Sequence, residues 1–347
     1  MSPISSLFLP SFSVVFAAIT RARSAAYKRG LFQVTQLDVP VISVGNITTG
    51  GTGKTPLVEW VCRVLANEGY KVCILTRGYG RTDSKSRVVV SNGSEILADA
   101  ATSGDEPFML AERLIGVAAV ISDPNRVAAG EWAIENFGTD VFVLDDGFQH
   151  LRLARDLNII TIDATNPWGG GHHLPYGRLR ESRRGIKRAD CIVITRAEQS
   201  QGLKRLREEI QELSDGKPTF LSDMRLKGFR RVSPGPQGRT EAVPQTIAAF
   251  CAVGNPEAFL NQLRQENVNV VLSRAFPDHH RYTQVDIDSV VQEAKQLGAR
   301  GIVTTAKDAV KLRSFDFDLP CFAVEIEISI ADNEQLLKQI RGAASQQ

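Results

Sequence analysis

Short runs of apolar, β-branched residues alternate with longer segments of helical periodicity along most of the chain. Before residue 200, such runs predict strands at 39–44, 71–76, 118–122, 141–144, 158–162 and 191–195. Helical patterns lie between them, near 55–68, 106–116, 124–137 and 199–213. This alternation is typical of an α/β domain whose sheet is mainly parallel and carries helices on both faces.

The same alternation resumes after a stretch rich in proline and glycine at 233–238, which predicts a boundary. Strands are then predicted at 246–253, 268–273, 301–304 and 321–325, and helices near 256–266 and 283–297. We therefore expect a first α/β domain at 31–225, a linker at 226–245 and a second, smaller α/β domain at 246–347.

The N-terminal segment has an apolar stretch at 4–19 that is interrupted by Pro10 and preceded by no positive charge, unlike a signal peptide. On a helical wheel, one face is apolar and the opposite face is polar. The apolar face carries Ile4, Phe8, Val15, Ile19, Ala22 and Ala26, and the polar face carries Ser6, Ser13, Thr20, Ser24 and Lys28. With Arg21, Arg23 and Arg29, this pattern favours a membrane-surface helix at 1–30. The alternative is a helix packed on its own domain.

Composition narrows the class of protein without identifying it. The 347 residues are 43% hydrophobic and 23% charged, with a net charge of +2, so no nucleic acid or obligatory protein partner is expected. A local basic zone lies at 178–188. The cysteines form no CxxC pair and are expected to be buried, reduced thiols; they are Cys62, Cys73, Cys191, Cys251 and Cys321.

A glycine-rich loop at 45–55 gives the strongest chemical signal, because it joins a predicted strand to a predicted helix as a P-loop does. Its backbone N–H groups and the helix N-terminus favour phosphate. We assign the nucleotide to Asn46, Thr48, Thr49, Gly50, Gly51, Thr52, Gly53, Lys54 and Thr55. Lys54 is expected to reach the β- and γ-phosphates, and the Thr55 hydroxyl to bind Mg²⁺. Thr48 stands where the strict P-loop pattern has its first glycine.

A second signal is Leu144-Asp145-Asp146-Gly147 at the end of a predicted strand, the pattern of a Walker B carboxylate. Neighbouring side chains on an extended chain point in opposite directions, so one of Asp145 and Asp146 is expected to bind the metal. Which one remains open.

Four further segments are candidates for the site, and each has a structural alternative. The segment 104–107 suits a helix N-cap as well as a catalytic carboxylate, and 276–282 carries two adjacent histidines of which one is expected to be functional. The arginines of 77–81 and 174–181 suggest phosphate clamps, or a solvated basic surface. Thr195-Arg196-Ala197-Glu198 is only a weak match to a guanine-binding motif.

Together these motifs resemble the tetraacyldisaccharide 4′-kinase family of lipid A biosynthesis, in order and over nearly the whole chain. They are GNITTGGTGKTP, TRGYGR, GDEP, LDDGFQH, LPYGRLRE, FPDHHRY and TTAKDAVK. The resemblance implies two α/β domains joined by a short two-stranded linker, with the active site in the cleft between them. It also implies ATP, Mg²⁺ and an acylated glucosamine disaccharide 1-phosphate as acceptor of the γ-phosphate at its 4′-hydroxyl. The enzyme would work at the cytoplasmic face of the bacterial inner membrane.

The resemblance further implies that Asp105 is the general base and that His279 orients or tunes it, while Lys54 stabilises the phosphates. We also assign Arg77, Arg180 and Glu181 to the nucleotide site. One departure is Ala306, where the family usually has glutamate. The alternatives are a P-loop switch ATPase or GTPase of the partitioning or metal-insertion type. Thr49 replaces the signature lysine of the partitioning ATPases, which weighs against that class.

Overall fold

The computed structural model describes residues 3–233, 242–266 and 268–345 of the chain. Its strands are β1 Val41–Gly45, β2 Val72–Thr76, β3 Val88–Ser91, β4 Ala118–Ser122, β5 Val141–Asp145, β6 Leu157–Asp163, β7 Cys191–Thr195, β8 Thr219–Ser233, β9 Thr246–Cys251, β10 Asn269–Ala275, β11 Gly301–Thr305 and β12 Cys321–Ile330. Its helices are α1 Pro3–Lys28, α2 Lys54–Asn67, α3 Ala100–Ser103, α4 Asp105–Arg113, α5 Arg126–Phe137, α6 Leu203–Ser214, α7 Pro256–Gln265, α8 Gln284–Gln296, α9 Ala306–Ala309 and α10 Glu334–Ala344.

The described strands form one mixed sheet in the order β10-β9-β11-β12-β8-β7-β6-β1-β5-β2-β4-β3. Strands β1, β2, β4, β5, β6 and β7 pair in parallel and are buried along their whole length. Continuous burial explains their mostly apolar sequences, because a parallel sheet is covered by helices on both faces. The predicted α/β fold with a large, mostly parallel sheet is confirmed.

Sheet order places the carboxyl ends of neighbouring parallel strands together. Strand β1 lies between β5, which ends at Asp145, and β6, which ends at Asp163. The loop after β1 therefore lies beside both carboxylates at the topological switch point, where α/β sheets bind ligands.

A long antiparallel ribbon connects the two ends of the sheet. Strand β8 pairs in parallel with β7 only through residues 219–222, and then pairs with β12 from Ser222↔Ile330 to Ser233↔Cys321. The sequence predicted a linker at 226–245, and its first part, 226–233, belongs to this strand. Residues 234–241, with most of the proline- and glycine-rich stretch, lie outside the described residues.

Helix α10 returns to the first part of the sheet. Its Leu336 and Ile340 are fully buried in the same apolar core as Ile42 of β1 and Leu57 of α2. Arg341 pairs with Glu68, just after α2. The last helix of the segment that was expected to form the second domain therefore packs against the first domain.

Helix α1 turns its polar side toward the protein and much of its apolar side away. Ser13 is buried and donates to the carbonyl of His173 at 2.8 Å, whereas Val15 and Ile19 are more than half exposed. Arg23 donates to the carbonyl of Gln149 at 3.1 Å. None of the described helices is both long enough and apolar enough to cross a membrane.

Candidate active site

The loop from Gly45 to Gly53 connects the buried end of β1 to the first residue of α2, Lys54. Gly53 caps α2 with φ of 75°, a left-handed conformation that side chains rarely adopt. A Cβ atom there would lie 2.6 Å from Met224 Cε. The backbone angle therefore favours glycine before Lys54, and the N–H groups of the helix start remain available to an anion.

Neighbouring strand ends hold this loop in shape. The Thr49 N–H donates to the carbonyl of Arg178 at 2.8 Å, and the Thr195 hydroxyl donates to the carbonyl of Thr52 at 2.9 Å. The Asn46 side chain donates to Thr52 Oγ1 at 2.8 Å. Asn46 thus supports the loop from within, and the buried Thr48 is bridged to Leu179. Such bracing preorganises a phosphate site before its ligand arrives.

Two cations converge on Asp146, the residue after β5. Lys54 Nζ lies 3.5 Å from its Oδ1, and Arg180 donates to its Oδ2 at 2.5 Å. Burial opposes ionisation of this carboxyl, but the charges of Lys54 and Arg180 outweigh that effect and hold the pKa of Asp146 well below its usual range. The P-loop lysine and the second predicted carboxylate therefore form one charged cluster.

Asp145 has the opposite electrostatic character. It is 3% exposed, and burial together with the charges of Glu106 and Asp146 raises the pKa of Asp145 to about 7. Thr76 donates to its Oδ2 at 3.4 Å. A buried carboxyl with so little compensating charge is suited to a bound cation, which would favour its ionised form.

The oxygen atoms around these two carboxyls fit a hard cation such as Mg²⁺. Asp146 Oδ1 is buried and accepts no hydrogen bond. Thr55 follows Lys54 in the first turn of α2 and supplies a hydroxyl of the kind that Mg²⁺ accepts. Among the described residues no group of three or more His, Cys, Asp or Glu side chains could hold a metal by itself, so phosphate oxygens and water would complete the shell.

Asp105 and Glu106 open α4 close to this cluster. The N-cap of α4 is Gly104, with φ of 96°, and no side chain caps the helix. Interpreting the segment 104–107 as a capping motif was therefore wrong. The Asp105 carboxylate lies instead 3.3 Å from Lys311 Nζ, and the Glu106 carboxylate 2.9 Å from Lys307 Nζ. Neither carboxylate caps the helix, and each is paired with a lysine instead.

Of the adjacent histidines, His279 lies at the site and His280 packs into the protein. His279 Nε2 is 3.3 Å from Lys307 Nζ, and its ring lies 5.1 Å from that of Tyr79. His280 pairs with Asp286 at 3.2 Å and stacks on Phe276. Within the described part of the chain, no Asp105–His279 ion pair is shorter than 4.0 Å. The predicted coupling of these two residues stays a prediction.

The predicted phosphate clamps differ in their surroundings. Arg180 joins the cluster as described above, while both oxygens of Glu181 accept hydrogen bonds from Arg188, at 2.7 and 2.9 Å. Gln149 also donates to Glu181 at 2.9 Å. Arg77 is exposed at the carboxyl end of β2. Arg180 and Arg77 are therefore accessible to a ligand, whereas Glu181 fixes the loop that carries Arg180.

A loop after β9 lies directly on the P-loop. Arg178 donates to the carbonyl of Gly254 at 2.9 Å, and the Asn255 side chain donates to Asp163 at 3.0 Å. A Cβ atom on Gly254 would lie 2.5 Å from the Cα atom of Gly50. Two backbones meet here with no room for a side chain, so the two parts of the chain are seated together at the phosphate site.

The sequence analysis did not assign several residues that lie at the site, although some of them occur in motifs that it recognised. Lys307 and Lys311 occur in the motif TTAKDAVK, and their i,i+4 spacing was an available signal. Ala306, the departure from the family, is buried against Met109 and Val310. No motif indicated the ion pair between Arg196 and Asp163, at 2.5 Å, beside the P-loop carbonyl of Gly51.

Comparisons with known proteins agree with this geometry. A family model described as tetraacyldisaccharide-1-P 4′-kinase, LpxK, matches residues 5–345. The tetraacyldisaccharide 4′-kinases of Desulfotalea psychrophila and Geobacter metallireducens are 38% and 39% identical over 94% of this chain, covering 93% and 95% of their own lengths. The crystal structure of the "apo" form of LpxK from Aquifex aeolicus in complex with ATP matches with a TM-score of 0.75 and 31% identity, over 96% of this chain and 97% of that one.

Proposed function

The chain belongs to the tetraacyldisaccharide 4′-kinase family, and from that premise we propose how its residues perform the reaction. It is an ATP-dependent kinase that phosphorylates the 4′-hydroxyl of an acylated glucosamine disaccharide 1-phosphate in lipid A biosynthesis. The switch ATPase and GTPase alternatives are not favoured. We further propose that residues 31–225 and 246–347 act as two domains closing on each other at this site.

Lys54 is the residue that stabilises the transferring phosphoryl group. Phosphoryl transfer depends mainly on positioning and charge neutralisation. The ammonium group of Lys54 lies 3.5 Å from Asp146. Phosphate oxygens entering the P-loop would compete for that ammonium group, while Arg180 keeps Asp146 ionised. The loop N–H groups supply further donors that need no reorganisation.

Thr55, Asp145 and Asp146 are the residues that would hold Mg²⁺. When bound, the ion neutralises charge on the β- and γ-phosphates. Asp145 gives up its proton more readily beside a cation, which offsets the burial that raises its pKa to about 7. The single observation that carries the proposed site is this group of Lys54, Asp145 and Asp146 at the carboxyl ends of β1 and β5.

Asp105 is the general base that takes the proton from the acceptor hydroxyl. It lies at the start of α4 on the first domain, and its neighbour Glu106 is close enough to Asp145 to affect the pKa of Asp145. His279 enters from the second domain on the loop before α8. A general base must be within hydrogen-bond reach of the proton it removes, and closure over both substrates would create that contact.

The test is phosphate transfer from γ-labelled ATP to the detergent-dispersed disaccharide 1-phosphate. Lys54→Ala should lower kcat by about 10²–10³, the typical effect of one preorganised electrostatic contact. Asp105→Ala should lower kcat with ATP affinity retained, because it acts on the acceptor rather than on the nucleotide. Retention of more than about a tenth of wild-type turnover by Lys54→Ala would remove the loop from the triphosphate site.

We also propose that α1 places the enzyme on the lipid surface that holds its substrate. The helix exposes Phe12, Val14, Val15 and Ile19, and Leu31 and Phe32 continue this apolar surface. Arg21, Arg23, Lys28 and Arg29 lie toward its C-terminal end. Each basic residue near an anionic bilayer contributes about 1 kcal/mol. From this surface and the lipid substrate of the family, we propose that the enzyme works at the cytoplasmic face of the bacterial inner membrane.

Vesicle flotation tests the membrane proposal separately from the kinase activity. The full chain should float with anionic vesicles and less with neutral ones, and high salt should weaken binding. Deletion of residues 1–26 should reduce flotation while leaving part of the activity on dispersed acceptor. Flotation that is equal for both proteins or indifferent to lipid charge would remove the membrane role of α1. Aggregation of the truncated chain would instead support the helix as a packing element.

A further inference from the structure

A short helix from the second domain lies against the helix that carries Asp105. Helix α9 and the residues after it contact α4 along one side. Lys307 pairs with Glu106 at 2.9 Å and Lys311 with Asp105 at 3.3 Å. Beside these contacts, Ala306 and Val310 pack with Met109 in one apolar cluster. Each of the two adjacent carboxylates at the start of α4 thus has its own lysine from the far end of the sequence.

Lys311 is held in place from its own side. Its ammonium group lies 3.3 Å from the carbonyl oxygen of His280 and 3.7 Å from Asp308 Oδ1, in addition to Asp105. The His280 carbonyl accepts a hydrogen bond from this ammonium group, while the carboxylates of Asp105 and Asp308 attract it by charge. Its side chain is only 12% exposed and lies 5.9 Å from the centre of the Tyr282 ring.

Asp308 anchors this arrangement to the core of the second domain. It is fully buried, and its Oδ2 accepts from the Thr305 hydroxyl at 2.7 Å and from the Ala252 N–H at 3.0 Å. The carbonyl of Ala252 in turn accepts from the His279 N–H at 3.4 Å. Lys311 and His279 therefore share one rigid support, and both approach the first domain from it.

We propose that Lys311 is a positioning residue for the kinase reaction: its ammonium group fixes the Asp105 carboxylate in place when the second domain is seated on the first. This inference rests on the proposed role of Asp105 as general base. A carboxylate at the first position of a helix, with no cap bond of its own, can adopt several rotamers. Lys311 selects one of them, and it does so only from the seated position. Seating of the second domain on the first therefore also aligns Asp105.

The experiment is a double-mutant cycle of Lys311→Met and Asp105→Asn in the full-length protein, with acceptor and ATP varied separately. Lys311→Met keeps the length of the side chain and removes the charge. It should lower kcat by about 10- to 100-fold, the cost of misplacing a reacting group by about 1 Å, with the KM for ATP nearly unchanged. In the Asp105→Asn background the same substitution should have little further effect. Lys311→Arg should recover part of the loss, since it keeps the charge but not the compact geometry.

Each other result has a distinct meaning. If Lys311→Met lowers kcat equally with and without Asp105, the two residues act independently and the inference is overturned. Wild-type kcat in Lys311→Met also overturns it, while the base assignment stands if Asp105→Asn is inactive. An active Asp105→Asn refutes the proposed base itself. Lys295→Met, which breaks an exposed pair with Asp318 in the same domain, is the matched control and should leave kcat unchanged. If Lys311→Met does not fold, Lys311→Arg replaces it in the cycle: a partial loss of kcat that disappears in the Asp105→Asn background supports the inference, and an unchanged kcat or an equal loss in both backgrounds contradicts it.

Discussion

Gly254→Ala should impair the kinase by separating the loop after β9 from the P-loop. The added Cβ would lie 2.5 Å from Gly50 Cα, 3.0 Å from Gly51 N and 3.2 Å from Asp278 Oδ2. Ordinary contacts between carbon atoms are about 3.5–4.0 Å, so the backbones must move apart by about 1 Å. Overpacking of this kind costs about 1–3 kcal/mol. If that cost falls on the seated state, turnover should drop by about 10- to 100-fold.

The assay is kcat/KM for ATP at saturating acceptor, measured with the thermal unfolding temperature of the same preparation. Gly202→Ala is the matched control, because Gly202 has φ of −111° and a Cβ added there would have no atom within 4 Å. It should behave as wild type. A value of kcat/KM for Gly254→Ala within about twofold of wild type would show that the close approach to Gly50 is not needed for turnover. An equal loss in Gly202→Ala would show that the assay does not report on this contact.

Three further outcomes follow from buried groups. Burial and the charges of Arg126 and Arg155 lower the pKa of His150 from 6.5 to about 3. The folded chain therefore binds fewer protons than the unfolded chain and loses stability as pH falls below 6.5. In His150→Gln, the unfolding temperature should decrease less over this pH range. Arg113 pairs with Glu59 and Glu325, and Arg113→Met should destabilise the chain by about 3–5 kcal/mol in urea titrations. The control is Arg264→Met, which breaks an exposed pair and should change stability by less than about 0.5 kcal/mol. All five cysteines are free and buried, so a thiol reagent should label them only on unfolding, and rapid labelling of the native chain would contradict the packing.

Most buried strands could be predicted from the sequence, because a buried parallel strand is a short run of mostly apolar residues that can be recognised without knowing which strands it pairs with. The apolar runs at 118–122 and 191–195 coincide with β4 and β7, since such strands are hydrophobic on both faces. Strand β8 was missed because the proline- and glycine-rich stretch that follows it led us to assign 226–245 to a linker. The available signal was a period-two alternation through Ser222, Met224 and Leu226, which a bulge before Phe229 then shifts by one residue.

The site was predictable to the extent that its residues occur in local motifs. Lys54, Asp145 and Asp146 follow strands in a pattern that sheet topology brings together. The contact between Asp105 and Lys311 joins residues far apart in sequence and depends on how the second domain is seated. No spacing in one sequence predicts such a pair. For the same reason, the sequence could not show that Glu181 binds Arg188.

The return of α10 to the first domain has a consequence for biosynthesis. Leu336 and Ile340 complete the core around Ile42 and Leu57, yet they are synthesised long after those two residues. Domains commonly fold as units during synthesis, N-terminal first. Here part of the apolar core of the nucleotide-binding half stays uncovered until α10 has been synthesised. Chains released early would carry every catalytic motif and still lack the helix that closes the core, which marks them as targets for chaperones and proteases.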